Sequence, residues 1–428
     1  MTKINVALLG IGTVGKGVYD AIVSSNHYYE KCYGISFNIK KILVSNLKKI
    51  REGVDGSLLT DNFEEIINDN SIEIIIEVMG GIDTAKEYIL KSFEHKKHII
   101  SANKDLISLY GKELEKTALE NNCFFRYEAS VAGGVPAIDV ANYHFAGENI
   151  TGIDAILNGT TNYILSTMYK SDVKSYDDAL QEAKDLGFAE ANPKSDVEGL
   201  DSARKLAILS SIYYKKDFTS SDVYTQGITQ IDTNDIAAAK MLNYSIKLLA
   251  TSKNDGKNTK LAVYPAFVKE HSPFADIDGG FNIICVQSDL LGKSYYIGAG
   301  AGAKPTASAV ISNLVNISFK LIQNETPKSI KCSSDYKNIL KSDEYISSYY
   351  MSIDVKNGLS LSDILKQEFT DFEKKVKAIV KVKAFAAIDN YAIVINEMAE
   401  KELKIIFDKL SKIDGIQAKK YIRIHDEL

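Results

Sequence analysis

Two rhythms of apolar and polar positions alternate along this chain, and the alternation predicts its architecture. Ile4 to Leu9 is an almost unbroken apolar run, the pattern of a strand buried on both faces, and helical spacing follows around Val18 to Val23. Further strands are expected to end near Ile42-Leu43-Val44-Ser45, at Ile72 to Met79 before Gly80-Gly81, and at His98 to Ser101 before Ala102-Asn103-Lys104. Strands separated by helices imply an α/β domain with a parallel sheet. The stretch from Phe124 to Pro136 closes this domain, and Ile153 to Leu157 is read as a strand feeding a polar turn and a helix opening at Tyr163-Ile164-Leu165. Asn234 to Leu248 reads as one helix capped by Asn234. Leu261 to Ala266 and Phe281 to Val286 read as strands separated by a loop that carries His271.

After about residue 330 the pattern changes. Ser333 to Asn338 reads as a linker, followed by a strand at Tyr350 to Val355, a helix at Leu359 to Phe369, strands at Val376 to Ala386 and Tyr391 to Ile395, a helix at Glu400 to Ile413 and a strand at Ala418 to Ile424. The order is βαββαβ.

A chain of 428 residues exceeds the size at which one core keeps growing, so two or three domains are expected. The 51 basic and 56 acidic residues leave a net charge of -5, which offers no basic field for nucleic acid. Met1 to Leu9 is strand-like rather than a secretory signal, and no apolar run is long enough to span a bilayer. A cytoplasmic protein without membrane or nucleic-acid partners is therefore expected. Cys32, Cys123, Cys285 and Cys332 are widely spaced and suggest neither a disulfide framework nor a zinc site. The final His425-Asp426-Glu427-Leu428 matches an endoplasmic-reticulum retrieval signal, but nothing in the chain directs it to that lumen, so the match reads as coincidence.

Candidate chemistry gathers at a few places. Gly10-Ile11-Gly12-Thr13-Val14-Gly15 lies between a strand and a helix, the order that a dinucleotide-binding turn requires. There Gly10 permits the turn, Gly12 admits the pyrophosphate, and Gly15 lets helix and strand pack. Ser45 stands where an acid usually binds the ribose of NAD, with Lys48, Lys49 and Arg51 after it, which favours the 2'-phosphate of NADP; a solvated charge run is the competing reading. Lys104 follows a strand at the ligand-binding edge of the sheet, although a lone surface lysine looks the same in sequence. Gly133-Gly134 before Val135-Pro136 suggests a turn whose carbonyls suit a hard cation, with Glu128 supplying charge; an ordinary turn explains it equally. In the segment Gly187 to Lys205, Asp201 and Lys205 stand four apart and share a helix face, as a surface ion pair also would.

These motifs together resemble the homoserine dehydrogenase family over about residues 4 to 325. The resemblance rests on Gly10 to Gly15, Ala102-Asn103-Lys104, Tyr127 to Val131, Asn158-Gly159-Thr160-Thr161-Asn162, Gly187 to Lys205, and Gly298 to Val310. It implies a Rossmann-type dinucleotide-binding domain at 1–130, completed by about 305–325, and an α+β substrate-binding and dimerisation domain at 131–304. The βαββαβ order at 346–428 is similar to an ACT-like regulatory domain. The implied reaction interconverts L-homoserine and L-aspartate 4-semialdehyde with NADP or NAD. Another NADP-linked dehydrogenase, or a nucleotide sensor without catalysis, is the alternative.

The resemblance also implies roles for particular residues. Lys205 is the acid-base group and Asp201 its catalytic partner, while Glu190, Asp196 and Asp201 bind substrate. Gly10, Gly12, Thr13, Val14, Gly15, Lys104 and Gly302 serve the cofactor. Glu128, Val131, Gly133 and Val135 match a monovalent cation site that takes an ion such as sodium. A homodimer or homotetramer and an amino-acid effector, threonine, are implied as partners. Two departures stand out: Asn192 replaces the family's aspartate, and Val355-Lys356-Asn357-Gly358 lacks the proline usual in the effector turn.

Overall fold

The computed structural model of the chain describes residues 1–171, 174–328, 338–384 and 387–425. Most of the expected linker at Ser333 to Asn338, Cys332 and the last three residues lie outside the described residues. The first part runs β1 (Thr2–Leu9), α1 (Thr13–Tyr33), β2 (Ile35–Leu43), β3 (Leu59–Thr60), α2 (Glu64–Ile67), β4 (Ile74–Glu77), α3 (Asp83–Glu94), β5 (His98–Ser101), α4 (Lys104–Glu120) and β6 (Phe125–Arg126). The middle follows as β7 (Ile150–Ile156), α5 (Gly159–Lys170), α6 (Tyr176–Asp185), α7 (Lys194–Val197), α8 (Leu200–Tyr214), β8 (Tyr224–Thr225), α9 (Thr233–Met241), β9 (Tyr244–Asn254), β10 (Thr259–Lys269), β11 (Phe281–Ser288), β12 (Gly292–Ala299) and α10 (Ala303–Ile322). The last part is β13 (Ile346–Lys356), α11 (Leu361–Glu368), α12 (Thr370–Glu373), β14 (Val376–Ala384), β15 (Ile388–Ala399), α13 (Glu400–Leu410) and β16 (Ile416–Ile424).

Two compact units divide the chain. The first holds Met1–Asn149, Ala207–Ser220 and the chain from Tyr296 through α10. Its sheet is parallel throughout, in the order β3-β2-β1-β4-β5-β6. Val6, Leu8, Ile74, Ile76 and Ile100 of the strands share one core with Val18 and Ile22 of α1 and with Ala307, Val310, Leu314 and Ile317 of α10. The long gap in sequence between α1 and α10 is closed here by packing.

The second unit holds Ile150–Leu206, Ser221–Tyr295 and the described C-terminal residues. Its strands run β11-β7-β9-β10-β16-β13-β15-β14, with β8 beside β10. The C-terminal part has the expected βαββαβ order with the short α12 added, and α11 and α13 cover one face of its strands through Leu361, Leu365, Leu403 and Leu410. The other face carries Tyr350, stacked on Phe267 of β10 with ring centroids 4.5 Å apart.

One expected element is corrected. Residues 234–248 form no single helix: α9 ends at Met241, Asn243 takes a left-handed conformation with φ 61°, and the chain continues as β9. Asp232 rather than Asn234 caps α9, accepting from the backbone N–H groups of Asn234 and Asp235. Ser245 to Ser252 is buried on both faces of its strand, and such a run cannot be told from a buried helix by spacing alone.

Candidate active site

The nucleotide-binding turn lies in the first unit, at the carboxyl end of β1. Gly10 has φ 103°, and a Cβ there would stand 2.8 Å from Cα of Met79, so the turn needs glycine. Gly12 is the N-cap of α1 and makes no side-chain cap, while nothing lies within 4 Å of where its Cβ would be. The first N–H groups of α1 at Thr13 and Val14 thus border open space at the positive end of the helix dipole, a setting that fits a pyrophosphate. Gly302, with φ 118°, caps the start of α10, and a groove of about 640 Å³ runs along α1 and α10 from Thr13, Lys16, Ala303 and Lys304 at their first turns to Tyr29 and Ile311. Lys48, Lys49 and Ser45 are exposed, and Arg51 donates to the carbonyls of Asn46 and Lys49 at 3.0 and 2.8 Å.

A buried carboxylate organises the neighbouring strand ends. Glu77, the last residue of β4, accepts from Oγ of Ser101 at 2.6 Å and from the N–H of Met79 at 3.0 Å. Burial raises its pKa. The N–H of Asn103 donates to Ser101, while the side chain of Asn103 caps α4 and donates to the carbonyl of Gly81. Lys104 is thereby fixed as the first residue of α4. Sequence reading placed Lys104 but missed Glu77, whose signal was an acid inside an apolar strand.

The loop after β6 holds the residues expected around a cation. Ala132 and Gly133 are both left-handed, with φ 57° and 53°, and a Cβ on Gly133 would meet the carbonyl of Gly300 at 2.7 Å. Glu128 is 4% exposed. Its carboxylate accepts from the N–H groups of Ala137, Ile138 and Asp139 at 2.6, 3.0 and 2.6 Å, so its side chain is committed to the backbone of the next segment. Burial, then repulsion from Asp139, pushes its pKa up to about 6 against the pull of those three donors. The Glu128 carboxylate thus faces backbone N–H groups, and its backbone carbonyl accepts from the N–H of Val131 at 3.3 Å. Among the described residues no group of three His, Cys, Asp or Glu side chains forms a metal cluster.

In the second unit Asn158 draws the polar residues together. Its side-chain oxygen caps α5 by accepting from the N–H of Thr161 at 2.9 Å. Its amide nitrogen donates to Asp196 at 2.8 Å and to Asp201 at 2.9 Å. Lys205 Nζ lies 2.8 Å from Asp201 Oδ2 and donates to the carbonyl of Leu157 at 2.8 Å. Asp201 is 1% and Lys205 8% exposed, so this i,i+4 pair is no surface ion pair. Asn158, read from the sequence as part of a polar turn whose amides could line a pocket and as one of the motifs behind the resemblance, is the hub.

Glu190 stands apart from this hydrogen-bonded set. It is exposed, two residues beyond Phe188, which stacks on Tyr163 at 4.4 Å and whose carbonyl accepts from Thr160 at 2.6 Å. Asn192 accepts at 3.4 Å from the N–H of Lys194, a turn contact that needs no charge.

Comparison with known proteins decides the family. The family model described as homoserine dehydrogenase matches residues 136–315, and that of the homoserine dehydrogenase NAD-binding domain matches residues 10–128. The homoserine dehydrogenase of Bacillus subtilis (strain 168) is 35% identical over 422 residues, covering 97% of each chain. The chain belongs to the homoserine dehydrogenase family. The crystal structure of a homoserine dehydrogenase from Thiobacillus denitrificans superposes with a TM-score of 0.90 at 31% identity, covering 99% of this chain and 98% of that one. A hyperthermophilic archaeal homoserine dehydrogenase in complex with NADPH matches with a TM-score of 0.63 at 26% identity, covering 74% of this chain and 98% of that one. The match to the NAD-binding domain covers the glycine turn at Gly10 to Gly15 and supports NAD(P) binding by this chain. No helix among its described residues is long and apolar enough to cross a membrane.

Proposed function

We propose that Lys205 and Asp201 carry the proton transfer of this homoserine dehydrogenase, with Glu190 and Asp196 binding the substrate. The enzyme is an NAD(P)-dependent oxidoreductase that interconverts L-homoserine and L-aspartate 4-semialdehyde, a step of threonine and methionine biosynthesis. The observation that carries the assignment is the buried ion pair of Lys205 with Asp201, 2.8 Å long and anchored on Leu157 and Asn158.

The substrate brings an ammonium, a carboxylate and an alcohol. Glu190 meets the ammonium, and Asp196, held by Asn158, extends the acidic side of the pocket. Lys205 donates to two fixed acceptors, which leaves its third N–H for the substrate oxygen. During aldehyde reduction that proton passes to the oxygen as it gains charge, and during oxidation the same amine takes it from the alcohol. Asp201 orients the amine throughout. Gly10, Gly12, Thr13, Val14, Gly15, Lys104 and Gly302 are the residues that would hold the dinucleotide, which would supply or accept the hydride.

Several finer readings belong to the same proposal. NADP is preferred over NAD, supported by Ser45 and the cations after it. The carbonyls of Glu128, Val131, Gly133 and Val135 hold a monovalent cation such as sodium. Residues 346–428 form an ACT-like regulatory domain, supported by strand order β16-β13-β15-β14 with both helices on one face. The enzyme works in the cytoplasm as a homodimer or homotetramer with threonine as effector. Homoserine oxidation followed by dinucleotide absorbance, with NAD and NADP in parallel, is the direct test. No turnover with either cofactor would refute the reading.

A further inference from the structure

We propose that Lys247 is a positioning residue for substrate binding: it fixes the loop 277–281 on which the segment Phe188 to Glu190 rests. The inference depends on the assignment of Glu190 to the substrate amine.

Lys247 sits on β9 and is 2% exposed, among the most buried charged side chains of the described residues. An ammonium so placed is strongly destabilising unless its donors are satisfied. Here it donates to the carbonyl of Ile277 at 2.6 Å, to Oδ1 of Asn162 at 3.2 Å, to Oγ of Ser166 at 3.2 Å and, weakly, to Asp278 at 3.4 Å. Asn162 in turn donates to the carbonyls of Ile277 and Gly279 at 3.0 Å each and reaches that of Phe281 at 3.4 Å. Lysine and amide together thus take the inward carbonyls of a loop that has little regular structure of its own. Asp278 also pairs with Lys170 at 2.7 Å on the outer side.

That loop is the floor of the substrate segment. A Cβ on Gly280 would stand 3.0 Å from the ring of Phe188, and one on Gly159 would stand 3.2 Å from Cα of Gly280. Backbone therefore meets both the first turn of α5 and the aromatic ring directly. Phe188 also stacks on Tyr163, and its carbonyl accepts from Thr160. Glu190 follows two residues later. Phe188 is 41% exposed, so these contacts with the loop, Tyr163 and Thr160 are what hold it, and a displacement of the loop moves the surface it rests on. Asn162 and Ser166, one helical turn apart on α5, also tie Lys247 to the helix whose cap, Asn158, holds Asp196 and Asp201.

Steady-state kinetics of Lys247→Gln and Lys247→Met, with Glu190→Ala as reference, test the proposal. Both lysine variants are expected to raise the KM for homoserine on the order of tenfold while the KM for NAD(P) stays within about twofold, with the glutamine variant the milder. Gly280→Ala, which presses on Phe188 from the same loop, should shift the same constant, and its effect should not add to that of Lys247→Gln. An unchanged homoserine KM in folded Lys247 variants overturns the inference, and so does loss of the fold in both, which would make the lysine a general stability residue. If Glu190→Ala itself leaves the homoserine KM unchanged, the substrate assignment fails instead, and the two failures are told apart.

Discussion

Lys205 has the sharpest consequence of any single residue. Lys205→Ala removes the proposed proton donor and leaves Asp201 buried without its cation. Turnover should fall by about 10²- to 10⁴-fold with homoserine, while NAD(P) affinity, followed by fluorescence titration, changes little. Near-normal turnover would move the chemistry elsewhere. Glu128 makes a separate prediction about stability. Folded Glu128 holds its proton more tightly than the unfolded chain does, so its contribution is complete below about pH 4.5 and is lost as the pH rises through about 6. Urea unfolding of wild type and Glu128→Gln across that window should show a difference in slope amounting to about 2 kcal/mol. Parallel curves would mean that the three backbone donors outweigh burial. Asp201 and Lys205 were legible as a pair in the sequence, because four-residue spacing on a helix is a local property. Their burial was not, since it depends on Leu157 and Asn158, more than forty residues earlier.

Among the elements, the glycine turn and the junction of the C-terminal strands are the most exposed to single changes. A Cβ on Gly15 would run into the carbonyl oxygen of Gly10, so Gly15→Ala must push α1 away from the turn. Cofactor binding should weaken at least tenfold in a NADPH titration, on the order expected when a preformed anion cradle is displaced. At the other junction Lys420 of β16 donates to the carbonyl of Gln230 at 2.5 Å and to Asp232 and Asp235 at 2.7 and 2.9 Å, and Tyr350 donates to Asp235 at 3.0 Å. Asp235 is fully buried, so Lys420→Met leaves its charge without its cation. A loss of about 3 kcal/mol is expected in denaturant unfolding, and an unchanged midpoint would show that Tyr350 alone suffices. β1, α1 and the βαββαβ order were all readable from spacing. The break after α9 was not, because a left-handed Asn243 and burial on both faces of β9 leave no mark in a hydrophobic count.

Cofactor choice and regulation are properties of the whole molecule. NADP should give the higher kcat/KM, because Lys48 and Lys49 are exposed beside Ser45 where an acid would otherwise bind the ribose. A clear NAD preference would show that these lysines serve only solvation. Threonine, added over a broad concentration range, should change activity or assembly if residues 346–428 sense an amino acid. Constant rates and constant size by light scattering would reject that role and leave the module structural.

The sequence by itself determined the family, the glycine turn, the spacing of Asp201 and Lys205, and the order of elements in each region, because these rest on local periodicity and on short motifs. Only the tertiary structure decided that Asn158 joins Asp196 to Asp201, that the Glu128 carboxylate faces backbone N–H groups, and that Lys247 lies inside a sheet rather than on a helix. Each of these joins residues far apart in the chain. Burial and hydrogen-bond partners are properties of the packed whole, and no window of sequence contains them.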